Sequence, residues 1–580
     1  MNRKFVFLFL CLGLLASAAF SQDGIKEMPV KREVSPELKK EAADFLRNTA
    51  VEVNNMRTLE NRISFSAEMA GLMWFHNEAE ARAMYQNVIG NFRNLLGQYD
   101  GDLNALGVGA DEGTSLPPFG ASGSAGSKVF RKFVTALRVR EQITIGLAEH
   151  DPQLALDFFT ETGEAVSNPM MRKQIDGSDS YFQTRLLSMI AERDPATALK
   201  FARKGLAKGI NYETIALLKK LYQKDPDKGI EFGQDIIGRI KSDPPKREEL
   251  YLISSLLYAD EAKDMMDKTE EPEKNKPPIF SPQSKREIAD VLARRVLEIE
   301  DLEKSEVGNY LGAIEQFAPA RAAQIRAKFN LKKSSGRDSA DLSGGPPPPK
   351  AMPTPMVSPT PEGNDPDKQI EETFEKLGQK DLPEEERRAV IERARNIIDS
   401  IGDREKKIAG LSMLALQIAQ LGDKKLASEI LDDAHSLISV QPINYRDYLE
   451  TWALVGGYAK VDPEKAFPLL ENTIYRLNDT IAAFVKVGEF IDVEGEMVQE
   501  GEVQLGSFGG GLTRELLGGL GEADTTVLDL ALADFKRTKD LTNRFDRPEV
   551  RVLAKMLVLR AILGNDDKAK TEEDQKDVGF

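Results

Sequence analysis

Apolar positions recur at intervals of three and four along most of the chain, the spacing that places them on one face of an α-helix. Phe182, Leu186 and Ile190 follow one another at four-residue steps, and Trp452, Val455 and Ala459 at three and four. Each series runs up to an Asp-Pro dipeptide, after which a second series starts. Aligned on the aspartates, the segments read Leu147-Ala-Glu-His-Asp151-Pro, Ile190-Ala-Glu-Arg-Asp194-Pro, Leu221-Tyr-Gln-Lys-Asp225-Pro and Tyr458-Ala-Lys-Val-Asp462-Pro. The fourth residue after Asp is small (Ala155, Ala198, Gly229, Ala466), the fifth apolar and the seventh bulky (Phe158, Phe201, Phe232, Leu469). Such offsets share one helical face, so each segment is predicted to be an amphipathic helix buried along a single stripe.

The dipeptide between the two series has a physical account. An aspartate just outside a helix accepts hydrogen bonds from free first-turn amides, and its charge suits the positive end of the helix dipole. Proline fits the first helical position, where a missing N–H costs nothing. Asp151, Asp194, Asp225 and Asp462 are therefore read as helix caps rather than catalytic acids. About three residues separate the last apolar position of one helix from the cap of the next, which forces antiparallel neighbours. The unit is a helical hairpin. A relative without proline occurs at Ile418-Ala-Gln-Leu-Gly-Asp423, with Ala427, Ile430 and Leu431 at the same offsets.

The aspartates are spaced 43 (151 to 194), 31 (194 to 225) and 39 (423 to 462) residues apart. Paired helices, a small residue at the close-packing position and periods in this range resemble the tetratricopeptide-like helical-hairpin repeats, or α-solenoids. The resemblance covers about half the chain and implies an architecture of stacked hairpins. It implies no binding residue.

Three kinds of segment break the helical pattern. From Lys332 to Asp367 it collapses into Ser, Gly and Pro, including Pro346-Pro-Pro-Pro349, a composition suited to an extended linker that acts as a spacer. Residues 107–127, rich in Gly and Ser, and the charged, proline-bearing stretch Thr269–Ser284 read as loops. Within 487–511, Phe490-Ile-Asp-Val and Glu502-Val-Gln-Leu alternate around glycines as a small β-hairpin would. The predicted organisation is all-α: a leader at 1–21, a helical-repeat body at 22–331, the linker at 332–367, a second body at 368–566 and a charged tail at 567–580.

Composition then narrows the setting. Arg3 and Lys4, an apolar run from Phe5 to Leu15 and small residues through Ser21 have the layout of a secretory signal peptide, cleaved after Ala18 or Ser21. Phe5–Phe20 falls short of the roughly 20 residues that span a bilayer. Cys11 lies inside the apolar run without the small residue that lipoprotein processing needs ahead of it. Removing residues 1–21 deletes two cations, no acid and the only cysteine, taking the formal charge from −16 to −18. The expected mature protein is extracytoplasmic, secreted or periplasmic, and free of disulfides and thiolate chemistry. Its acidity disfavours nucleic acid and anionic membrane surfaces as partners.

Candidate chemistry is sparse. His76, His150 and His435 are each isolated in sequence, and no HExxH, GxSxG, Walker or dinucleotide signature occurs. Gly506-Ser-Phe-Gly-Gly-Gly511 lacks the Lys-Ser/Thr of a phosphate loop and reads as a flexible loop. Asp100, Asp102, Asn104 and Asp111 occupy positions 1, 3, 5 and 12 of a pattern resembling an EF-hand loop. Ala105 replaces the turn glycine and Asp111 the bidentate glutamate, which favours a polar turn ending a helix near Tyr99 over a calcium site. No cofactor is implied. Two functional expectations remain: a non-enzymatic scaffold for a protein or peptide partner, or a glycan-acting hydrolase or lyase with a Glu/Asp pair in a helical cleft. Carboxylates gathered around Trp74 in one deep pocket would favour the second.

Overall fold

The structure, a computed structural model, describes residues 34–108, 125–206, 209–242, 247–259, 277–299, 302, 304–331, 366–379, 382–438, 445–491, 497–509 and 523–564. The expected leader, nearly all of the linker (332–365), most of the two loops and the tail lie outside the described residues. What is described is all-α apart from one two-stranded sheet.

Helix α1 (Pro36–Asn54) opens the first body, and six hairpins follow among the described residues. They are α2 (Leu59–Trp74) with α3 (Glu78–Ala105), α4 (Ala125–His150) with α5 (Pro152–Glu164), and α6 (Pro169–Ala191) with α7 (Pro195–Leu206). Then come α8 (Tyr212–Lys224) with α9 (Pro226–Ser242), α10 (Leu250–Leu256) with α11 (Pro282–Glu298), and α12 (Lys304–Phe317) with α13 (Pro319–Phe329). First members pack on first members from α2 through α4, α6, α8 and α10 to α12. Second members pack likewise, α7 on α9, α9 on α11 and α11 on α13. Two ladders back to back are what stacked hairpins produce.

The three Asp-Pro corners of the first body share one construction. The amide of Asp151 donates to the Leu147 carbonyl at 2.7 Å, closing the first helix, while its carboxylate accepts the Leu154 amide at 3.0 Å and opens the second. Asp194 does the same between Ile190 and Thr197, and Asp225 between Leu221 and Lys228. One residue thus ends one helix and caps the next, so the corner needs no loop. At Asp462 the amide closes the preceding helix on Tyr458, and the carboxylate accepts the Ser428 hydroxyl at 3.1 Å. Asp194→Ala is expected to lower unfolding free energy by about 1 kcal/mol, checked by urea denaturation.

The small residue four places after each aspartate (Ala155, Ala198, Gly229, Ala466) is buried. At Gly229 the helix before the corner comes very close: a Cβ there would lie 2.5 Å from Tyr222 Cβ and also overlap the Tyr222 backbone. Gly229→Ala should therefore cost about 1–3 kcal/mol through overpacking, read as a lower denaturation midpoint at unchanged slope.

The second body pairs α14 (Pro366–Leu377) with α15 (Glu384–Ser400), α16 (Arg404–Gln420) with α17 (Lys424–Leu437), and α18 (Tyr445–Val461) with α19 (Pro463–Ile491). Strands β1 (Val498–Gln499) and β2 (Glu502–Val503) pair antiparallel, Val498 opposite Val503, around Glu500 and Gly501, both at positive φ as a tight hairpin requires. Helices α20 (Ala523–Ala533), α21 (Phe535–Thr542) and α22 (Pro548–Leu563) complete the chain. The hairpin thus sits within the expected window, with one correction. Phe490 and Ile491 end α19 instead of starting a strand, and the strand that pairs with β2 is Val498–Gln499, beside the tight turn at Glu500 and Gly501.

One core lies between the ladders of the first body, with Phe508 added to it, and a second among α14–α21. A third is shared across the linker. Leu46 and Val53 of α1 and Phe65, Met69 and Met73 of α2 pack with Val552, Met556, Leu559 and Ile562 of α22. Helix α18 packs on α20, α20 on α22, and α22 on α1 and α2. The first-member ladder therefore continues from α14 to α12 without a break, and the N-terminal helices stand in its middle.

Candidate functional site

The residues singled out by sequence are placed at helix junctions. Asp151, Asp194 and Asp225 hold three successive corners, and Asp151 is also gripped by Arg82 of α3. Asp100, Asp102 and Asn104 do not form a turn: α3 continues through them to Ala105, because Leu96, Tyr99 and Leu103 keep the buried helical spacing. Asp100 reaches across to the start of α6, accepting the amides of Ser167 (2.7 Å) and Asn168 (2.6 Å) and the Ser167 hydroxyl (2.6 Å). Burial pushes the Asp100 carboxyl up, but these hydrogen bonds outweigh it and hold the group below its ordinary range. Asn104 accepts from the Asn168 side chain at 2.8 Å. Asp111 lies outside the described residues. Among the described residues, no three His, Cys, Asp or Glu side chains gather in a way that could hold a metal ion.

The Gly506–Gly511 run also departs from expectation. Gly506–Phe508 form a 3-10 turn, with Phe508 buried 6.4 Å from the Phe92 ring. Gly506 has φ +65° and passes so close to Ser64 that a Cβ would meet its side chain at 2.8 Å. A buried aromatic, invisible to local composition, fixes a segment that reads as flexible. Gly510 and Gly511 are outside the described residues.

Trp74 is surrounded by bases and rings. His150 stacks on it at 5.1 Å with planes 17° apart, the Arg82 guanidinium lies 5.0 Å from its centroid, and Tyr85 is tilted at 6.0 Å. Trp452 packs, partly buried, against the third core. Several buried carboxylates are bound at helix junctions. Glu60 accepts from Tyr99 at 2.8 Å, and burial together with that carboxylate pushes the Tyr99 hydroxyl well up. Asp447 and Glu450 of α18 share one Arg404 nitrogen, at 2.7 and 2.9 Å. Glu549 takes the Val503 amide at 3.1 Å and the Arg547 side chain at 2.5 Å.

Glu502 joins the two ends of the chain. Its carboxylate accepts the amides of Arg57 (2.7 Å) and Thr58 (3.1 Å), the Thr58 hydroxyl (2.9 Å) and the Asn61 amide (3.3 Å). Asn61 returns a bond to the Val503 carbonyl at 3.0 Å and accepts from Leu505 N at 2.9 Å. Strand β2 is thereby fixed to the start of α2.

A different kind of feature lies on the first-member ladder, at the N-terminal ends of neighbouring helices. Tyr212 of α8 and Tyr251 of α10 are 63% and 58% exposed, with ring centroids 6.3 Å apart. A reciprocal Asn211–Thr214 cap fixes the start of α8. Gly209, at φ +125°, places the chain against the Glu249 carboxylate at the start of α10. Two acids, Glu213 and Glu249, thus adjoin the tyrosines in sequence. The buried stripes do not announce this pair; its signal is an aromatic in the first turn of a helix, off the buried face. No protein-family model and no curated protein matches this chain.

Proposed function

We propose that this chain is an exported, non-enzymatic helical-repeat scaffold that binds a protein or peptide on its first-member ladder. The observation that carries the reading is the division of labour among side chains: the buried acids Glu60, Asp447, Glu502 and Glu549 are engaged in ties between elements, while Tyr212 and Tyr251 set exposed aromatic area side by side on neighbouring helices. Tyrosine offers large, rigid contact area at little entropic cost, which is why it recurs where proteins meet. The glycan-hydrolase alternative needs two carboxyl groups free to act as acid and base. Asp447 and Glu450, a buried pair of acids on one helix, are bridged by Arg404.

The test is affinity capture of extracytoplasmic proteins on the immobilised mature chain, in parallel with an assay for new reducing ends on glycan. A discrete captured protein with no glycan turnover is expected. Glycan cleavage that disappears on substituting Asp447 or Glu450 would overturn the proposal.

A further inference from the structure

We propose that the outer face of α19 is a dimer interface, on which a second copy of this chain lays the same helix antiparallel. This goes beyond the scaffold reading and does not depend on it. Three observations lead to it.

The first is an apolar stripe where a solvated face is expected. Helix α19 buries Ile474 and Val485, yet its opposite side carries Tyr475 at 70%, Val487 at 52% and Phe490 at 90% exposure. Ala482 and Ala483, also exposed, lie between them. Tyr475, Ala482, Lys486, Asp479, Phe490 and Ala483 share one arc of about 100° at the helical rotation of roughly 100° per residue. A helix that is apolar on two opposite sides has two faces to bury.

The second is rigidity. Helix α19 has 29 residues against 17 in α18, so its last turns run past the start of α18, where Tyr448 and Thr480 share a hydrogen bond of 3.3 Å. Those turns are held from the inner side. Ile481, Phe484 and Val485 pack into the third core, and a Cβ at Gly488 would lie 3.0 Å from Val498 of β1. The stripe is presented on a fixed helix, which lowers the ordering cost of association.

The third is charge, and it decides the occupant. One acid and one base, Asp479 and Lys486, stand exposed between the two aromatics. In an antiparallel pair with its two-fold axis between Ala482 and Ala483, residues equidistant from the axis face each other. Asp479 then meets Lys486 of the partner subunit, Lys486 meets Asp479 of the partner subunit, and Tyr475 meets Phe490 of the partner subunit. The alanines fall at the crossing, where small side chains let two helices approach closely. A parallel pair would set each charge against its own kind, which costs affinity. From Tyr475 to Phe490 the contact is about 22 Å long. One helix wide, it falls below the roughly 1,200–2,000 Å² of stable interfaces, so the dimer is expected to dissociate on dilution.

The experiment is sedimentation velocity of the chain from residue 22 onward across the micromolar range. The mass should rise with concentration towards that of two copies. Asp479→Lys and Lys486→Asp should each weaken association about tenfold or more, and the two together should restore it by exchanging the charges. Melting temperatures serve as the control, since both positions are exposed. The register is read by cysteine. Cys11 is the chain's only thiol and lies outside this chain, so Ala483→Cys introduces the sole one. Mild oxidation should link two copies of Ala483→Cys but not of Asn472→Cys, which lies far from the axis. A monomer throughout the range overturns the proposal and leaves the face to a different protein. A dimer indifferent to the single charge reversals, or one that the double exchange does not restore, overturns it as well. Crosslinking through Asn472→Cys would also overturn it, by showing a parallel pair.

Discussion

Glu502→Ala is expected to lower unfolding free energy by about 4 kcal/mol. Two backbone amides, a hydroxyl and a side-chain amide converge on this carboxylate, and all but the Arg57 amide are buried bonds. Each buried donor left without an acceptor costs about 1–3 kcal/mol, reduced where water enters in place of the side chain. Glu502→Gln keeps one acceptor oxygen but turns an NH2 towards other donors, so about half the loss is expected. Urea unfolding measures both. Hydrogen exchange distinguishes the mechanism: protection should fall first in α1 and α2, some 440 residues away in sequence, because Glu502 holds their entry to the third core.

Arg140→Met should cost about 3 kcal/mol. Arg140 is 1% exposed and belongs to α4, but its guanidinium is shared among three helices. Nε donates to Thr162 at 2.8 Å, one terminal nitrogen to Asp179 at 2.7 Å, and the other to Asp179 at 2.9 Å and the Phe159 carbonyl at 2.5 Å. It also lies 4.1 Å from the Phe159 ring centroid. Removing one partner of such a pair strands the other, which costs more than the pair contributes. Arg140→Lys should recover little, since an ammonium cannot reproduce the planar fork. Gly163 is part of the same device: a Cβ there would sit 2.8 Å from the guanidinium. Denaturant midpoints for Arg140→Met, Asp179→Asn and the double variant measure the coupling. A double variant close to Arg140→Met alone is the expected result.

The legible part of this protein is its local part. Asp151, Asp194 and Asp225 can be read as caps because the cap, its amide and the proline lie within four residues. The buried stripe after each can be read because one helix face repeats at short range. The extension of α3 through Gly101 is hidden when turn composition is given more weight than the spacing of Tyr99 and Leu103. The order of Gly506–Phe508 is hidden for another reason: it depends on Phe92 and Ser64, more than 400 positions away. The same distance conceals Glu502, which has no companion motif near it. Dividing the chain at its linker follows composition, but core one takes Phe508 from beyond the linker, while core two lies wholly beyond it. The third core draws on both, since α22 packs on α1 and α2.

That shared core permits a direct measurement. A specific protease site placed within residues 352–357 of the full-length chain, between α13 and α14, allows the backbone to be cut without touching a described helix. After complete cleavage the two fragments should elute together on size exclusion and unfold in a single transition near the midpoint of the uncut chain. Separation into two species with independent transitions would contradict the continuous ladder and the junction at Glu502.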